Sequence, residues 1–166
     1  MAKQKPSLNT IYISGRLRDA LAPISCYALT SVVAPMGYGK TTAVNWYLDQ
    51  CDRKPPIRII RISVYSDNLT IFWKSAQSAF SHADLDLLLH YDCPDDPAGC
   101  SMLMDALCHT FSDQITTYIF IDDFHLLTDK RITAFLCTLS GRLPACVHLI
   151  VASRNRFLSG GEILQL

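Results

Sequence analysis

The octapeptide A-P-M-G-Y-G-K-T, Ala34 to Thr41, constrains this chain more than any other stretch. It follows the apolar run ALTSVVA, residues 28–34, which reads as a buried strand. It leads into KTTAVNWYLDQC, residues 40–51, where Val44, Tyr47 and Leu48 recur at helical spacing. A strand, a glycine-rich bend and a helix in that order match the phosphate-binding pattern G-x-x-x-x-G-K-[ST] with only the first glycine replaced. Ala34 fits there if its φ is negative, and Pro35 already biases it towards an extended conformation.

Each remaining position has a chemical reason. Gly37 and Gly39 let the backbone turn so that its N–H groups converge on phosphate oxygens. Lys40 supplies a cation to the β- and γ-phosphates, and the Thr41 hydroxyl completes the shell of a Mg²⁺ ion. The helix that starts near Lys40 adds the positive end of its dipole. The expected nucleotide contacts are therefore Gly37, Tyr38, Gly39, Lys40, Thr41 and Thr42.

A phosphate loop of this kind works with an acid at the end of a neighbouring apolar strand. TTYIFID, residues 116–122, ends in Asp122 and is followed by Asp123. Asp122 is expected to orient the hydration of Mg²⁺, and Asp123 to act with Lys40 in catalysis, polarising the attacking water as a general base. His125 is expected to be a packed or supporting residue. A further buried run, VHLIVAS at 147–153, ends in Ser153-Arg154-Asn155, which places Arg154 where it can sense a γ-phosphate.

The rest of the chain alternates in the same way. IRIIRISV, residues 57–64, reads as a strand, and 69–83 as a helix capped by Asp67 or Asn68. Lys54-Pro55-Pro56 breaks the chain before that strand. Residues 91–99 carry two prolines and a glycine and read as loop. Residues 100–111 and 128–143 read as helices, the second with Thr128 as its cap. Strands alternating with helices predict an α/β fold, a three-layer P-loop NTPase with a mainly parallel sheet. The tail GGEILQL stops abruptly, so the last strand is expected to be missing. A ligand is expected at the carboxyl ends of the strands.

Composition narrows the function. Hydrophobic residues make up 49% and charged residues 18%, which argues for a packed core and against disorder. Lys+Arg and Asp+Glu are 15 each, so the basic excess of a free-standing nucleic-acid binder is missing. The seven cysteines form no C-x-x-C pair and are expected to be reduced. No signal peptide or membrane span is expected, and the default compartment is the cytoplasm.

The strings APMGYGKTT, YIFIDDFHLL and HLIVASRN together resemble the MalT-type STAND ATPases, the nucleotide-switch modules of large LuxR-type transcriptional activators. RLRDAL, residues 16–21, is similar to the Arg-containing helix that borders the adenine site in that family, with Arg16 matching one of its arginines. The resemblance runs from about Ile11 to Leu166. It implies a core over residues 28–166 preceded by an N-terminal segment, 1–27, whose helix borders the nucleotide site. It also implies ADP in the resting state and ATP in the active one, slow Mg-dependent hydrolysis at most, and self-association of the full-length protein. The DNA-binding region of such regulators is expected to lie outside this chain. Two other readings stay open: a P-loop small-molecule kinase, and an inert truncated remnant.

Overall fold

The computed structural model describes residues 13–52, 56–156 and the backbone of 163–165. The start of the resemblance at Ile11, the lysine and first proline of the 54–56 break, and most of the GGEILQL tail lie outside the described residues. The elements are α1 (Gly15–Leu21), β1 (Leu29–Val33), α2 (Lys40–Cys51), β2 (Ile57–Ser63), α3 (Leu69–Ser81), α4 (Pro97–Thr110), β3 (Thr116–Asp122), α5 (Lys130–Ser140), β4 (Val147–Ser153) and β5 (Ile163–Gln165). All strand pairings are parallel, in the order β2-β3-β4-β1-β5.

Period-two alternation divides the core between the two faces of this sheet. Tyr118 and Phe120 of β3, with Ile150 and Ala152 of β4, pack with Leu21, Val44 and Leu48 from α1 and α2. Ile119 and Ile121, with Leu149 and Val151, pack with Phe72, Leu103 and Leu136 from α3, α4 and α5. Burial on both faces explains why β3 and β4 carry near-continuous apolar runs. Fully burying one such aliphatic or aromatic side chain stabilises the fold by roughly 1.5–3 kcal/mol.

Several local expectations need correction. A fifth strand, expected to be missing, is present: Ser31, Val32 and Val33 of β1 register with residues 163–165. Three residues fall below the run length that signals a strand in sequence, and pairing with β1 supplies what propensity does not. The loop assigned to 91–99 ends early, because α4 begins at Pro97. Asp96 caps it, accepting from the Ala98 and Gly99 N–H groups at 2.7 and 2.9 Å, and proline suits the first helical position. Asp129, not Thr128, caps α5 by accepting from the Arg131 N–H. Thr128 instead donates through its N–H and hydroxyl to the Asp67 carboxylate, which leaves Asn68 to cap α3. These two hydrogen bonds hold the Asp67 carboxyl below its ordinary range.

Candidate functional site

Parallel strands bring all their carboxyl ends to one edge. Val33 registers with Ser153, Ile121 with Val151, and Asp122 with Ser63. The glycine-rich loop, the two aspartates and the Ser-Arg-Asn turn therefore share that edge, as their sequence positions required. The Ala34 N–H donates to the Ser153 carbonyl at 3.4 Å, which ties the loop to the end of β4.

Within the loop, Gly37 and Gly39 adopt left-handed φ values of 81° and 73°. A side chain at either position would strain the backbone. Ala34 is 2% exposed and is not among the residues with positive φ, so its methyl group fits. Met36 and Tyr38 project outward, 73% and 70% exposed. Lys40 is buried, and its ammonium donates to the Ala34 and Pro35 carbonyls at 2.7 and 3.2 Å. An ammonium has three protons, so one donor is left for a ligand. Thr41 and Thr42 are exposed on the first turn of α2.

Asp122 is 9% exposed and shares the strand parity of Tyr118 and Phe120, which face α2. Its Oδ1 accepts from the Asp123 N–H at 2.8 Å. Asp123 sits in the left-handed region at φ 55°, a conformation that aspartate tolerates better than most residues. Half of its side chain is exposed. Arg154 is exposed immediately after β4.

A hollow of about 460 Å³ lies between the β3–α5 turn and the end of β4, lined in part by His125, Thr128, Thr133, Ser153 and Asn155. The His125 side chain is 9% exposed, with Nδ1 3.9 Å from an Asp123 carboxylate oxygen. That exceeds hydrogen-bonding distance, and neither ring nitrogen has a hydrogen-bond partner among the described residues. Burial, and then the positive charge of Arg154, hold the His125 pKa below the ordinary histidine value.

Arg16 is exposed on α1. The arginine of α1 that contacts α2 is Arg18, 5.6 Å from the ring centre of Trp46. Sequence reasoning missed this contact, although an arginine two positions from Arg16 and a tryptophan on the next helix were both visible. The oxygen donors of Asp122 and Thr41 are hard and suit a Mg²⁺ shell.

No family model matches the chain. It is 25% identical over 158 residues to the HTH-type transcriptional regulator MalT of Vibrio cholerae; the match covers 89% of this chain and 16% of that protein's length. Among solved structures, Cdc6p of Pyrobaculum aerophilum superposes with a TM-score of 0.62 at 13% identity, covering 97% of this chain and 47% of that one. The Drosophila ORC bound to DNA gives 0.57 at 11% identity, covering 99% and 52%. ORC2 of Aeropyrum pernix, solved as ADPNP–ADP complexes, gives 0.51 at 14% identity, covering 90% and 44%. In sequence the chain is therefore similar to one segment of a MalT regulator, and it shares its fold with part of Cdc6p and of the ORC proteins.

Proposed function

We propose that this chain is an ATP/ADP-binding switch module of a MalT-like transcriptional regulator, with slow Mg-dependent ATP hydrolysis at most. The observation that carries the reading is the convergence of the Gly37–Thr42 loop, Asp122, Asp123 and Arg154 on one sheet edge. The match to MalT and the fold support a nucleotide-binding regulator module.

Each residue then has a task. The loop N–H groups and the third Lys40 proton bind phosphate oxygens, while the other two Lys40 protons keep the loop shut around them. Thr41 and Asp122 would hold Mg²⁺, which when bound offsets charge on the β- and γ-phosphate oxygens. Asp123, half exposed, accepts a proton from water at the γ-phosphate. Arg154 pairs with the terminal phosphate. Arg16 lies on the helix that would border the base. The regulator's effector response, self-association and DNA contacts belong to the longer protein in this reading, of which residues 28–166 form the nucleotide core.

Equilibrium binding of a fluorescent ATP analogue, with and without Mg²⁺, tests it. Binding by the wild type that is lost in Lys40→Ala supports the module. Equal binding by both proteins would sink it.

A further inference from the structure

Folded cores are packed to the density of organic crystals, so a gap in one calls for a reason. The core on the α3–α4–α5 face of the sheet contains a cavity of about 50 Å³. Ile121 and Leu149 of the sheet line it, with Trp73 and Ala76 of α3, Leu107 of α4 and Leu136 of α5. Ala76 is the smallest residue in that lining and leaves the space. The lining presents no polar surface, and the one polar atom of the Trp73 ring is occupied, donating to the Tyr91 carbonyl at 2.8 Å. Water gains nothing by entering such a space, whereas a hydrocarbon does. A dry engineered cavity of about 150 Å³ takes up benzene. The smaller volume here suits the tip of a chain, not a ring.

The cavity has a way in. A hollow of about 460 Å³ separates Cys100, Ser101 and Met104 of α4 from Ala134 and Thr138 of α5 on the outside of the same layer. Pro94 and Phe135 line both spaces. Phe135 is half-buried, so a change of its rotamer is enough to join them.

The charges around the hollow set the class of ligand. Asp95, Asp96, Arg131 and Arg142 line it, two of each sign. Both arginines are already paired, Arg131 with Asp129 at 2.7 Å and Arg142 with Asp105 at 3.4 Å. Asp96 accepts from the first turn of α4. A charged ligand would therefore be desolvated without a counter-ion, which is costly. A neutral head meets no such cost. The Thr138 hydroxyl donates to the Ala134 carbonyl at 2.9 Å and can still accept from one.

We propose that the cavity and the hollow form a single binding site, gated by Phe135, for a small uncharged amphiphile: a short hydrocarbon chain carrying a hydroxyl or similar neutral head. The chain end fills the space beside Ala76 and the head stays in the hollow. The site lies on the face of the sheet opposite α2, so it stands or falls separately from nucleotide binding.

Titration with 6-bromohexan-1-ol, followed by quenching of tryptophan fluorescence, tests this. Bromine quenches on contact, and Trp73 lines the cavity while Trp46 packs on the other face. The expected result is saturable quenching in the wild type that disappears in Trp73→Phe. Ala76→Val, which fills the cavity, should weaken binding about tenfold and raise the melting temperature. Phe135→Ala, which removes the gate, should speed association severalfold. Unlabelled alcohols should displace the probe with affinity rising about fourfold per methylene from 1-butanol to 1-hexanol. If Ala76→Val does not fold, displacement from the wild type by 1-hexanol but not by hexanoate at the same concentration decides the matter. Absence of saturable quenching, quenching that persists in Trp73→Phe, affinity unchanged in Ala76→Val, or hexanoate competing as well as the alcohol would each overturn the proposal.

Discussion

The two ends of the sheet are built from the same strands and treat their polar groups in opposite ways. At the amino ends, the Ser25 hydroxyl hydrogen-bonds both the Tyr47 and Tyr118 hydroxyls. Tyr118 stacks on His148 at 5.2 Å, and His148 Nδ1 donates to the Tyr27 carbonyl at 2.9 Å. Arg58 donates to Asp113 at 2.8 Å. Burial pushes the Tyr118 hydroxyl up to about 12, so it stays neutral. At the carboxyl ends, the His125 ring nitrogens have no hydrogen-bond partner among the described residues, Asp123 is held at positive φ, and the loop depends on two left-handed glycines. The first end closes on itself and contributes stability. The second end leaves donors, acceptors and strain unresolved, which is what a binding site does when its partner is a ligand and not the protein.

Four substitutions can break this contrast or sharpen it. The largest expected effect is at the carboxyl edge. Lys40→Ala should weaken nucleotide binding by at least about tenfold, because it removes a charge-assisted donor to phosphate. A titration showing unchanged affinity would erase the distinction between the edges. Next, the wild type should lose stability as pH falls from 7 through the ordinary histidine value of 6.5. The folded His125 resists protonation, so the unfolded chain binds the extra proton and gains in that window. Denaturant midpoints for His125→Gln should fall less over the same range.

At the amino edge, Ser25→Ala should cost about 1 kcal/mol in urea unfolding and leave nucleotide affinity unaltered. A severalfold change in affinity would mean that the two edges are coupled. The smallest effect belongs to Arg58→Ala. The Arg58 hydrogen bond, followed by that of the Ile115 N–H, holds the Asp113 carboxyl below its usual range. A depressed carboxyl stabilises the fold above its unfolded value and loses that contribution as pH falls through the folded one. The variant should therefore be less stable at pH 7 by under about 1 kcal/mol, as befits a partly exposed pair. The gap should close as pH drops below 3.8 in acid titrations.

Much of the fold was legible because the strongest signals were local. Residues 116–122 and 147–153 read as strands with the same bounds that the structure gives them. Their apolar runs reflect burial on both faces, and no long-range information was needed. Capping was harder to read. Asp67, Asn68, Thr128 and Asp129 are all plausible caps, and the choice among them follows from Asp67 reaching Thr128 across 61 positions of chain. The start of α4 was hidden because proline marks a loop in sequence and also suits the first turn of a helix. For the site, the loop and the acidic strand end were visible as spacing, whereas the Arg18–Trp46 contact required two helices to meet.

The amino-acid sequence by itself determined the α/β alternation, the glycine loop and the type of chemistry its residues suit, because these depend on spacing and side-chain type along a few consecutive turns. Tertiary structure alone decided that a three-residue segment pairs with β1 as a fifth strand. It also decided that Lys40 spends two of its protons on its own loop, and that both His125 ring nitrogens are buried without a hydrogen-bond partner among the described residues. The physical reason is that pairing and desolvation depend on which distant groups arrive at the same place, and no local pattern records their arrival.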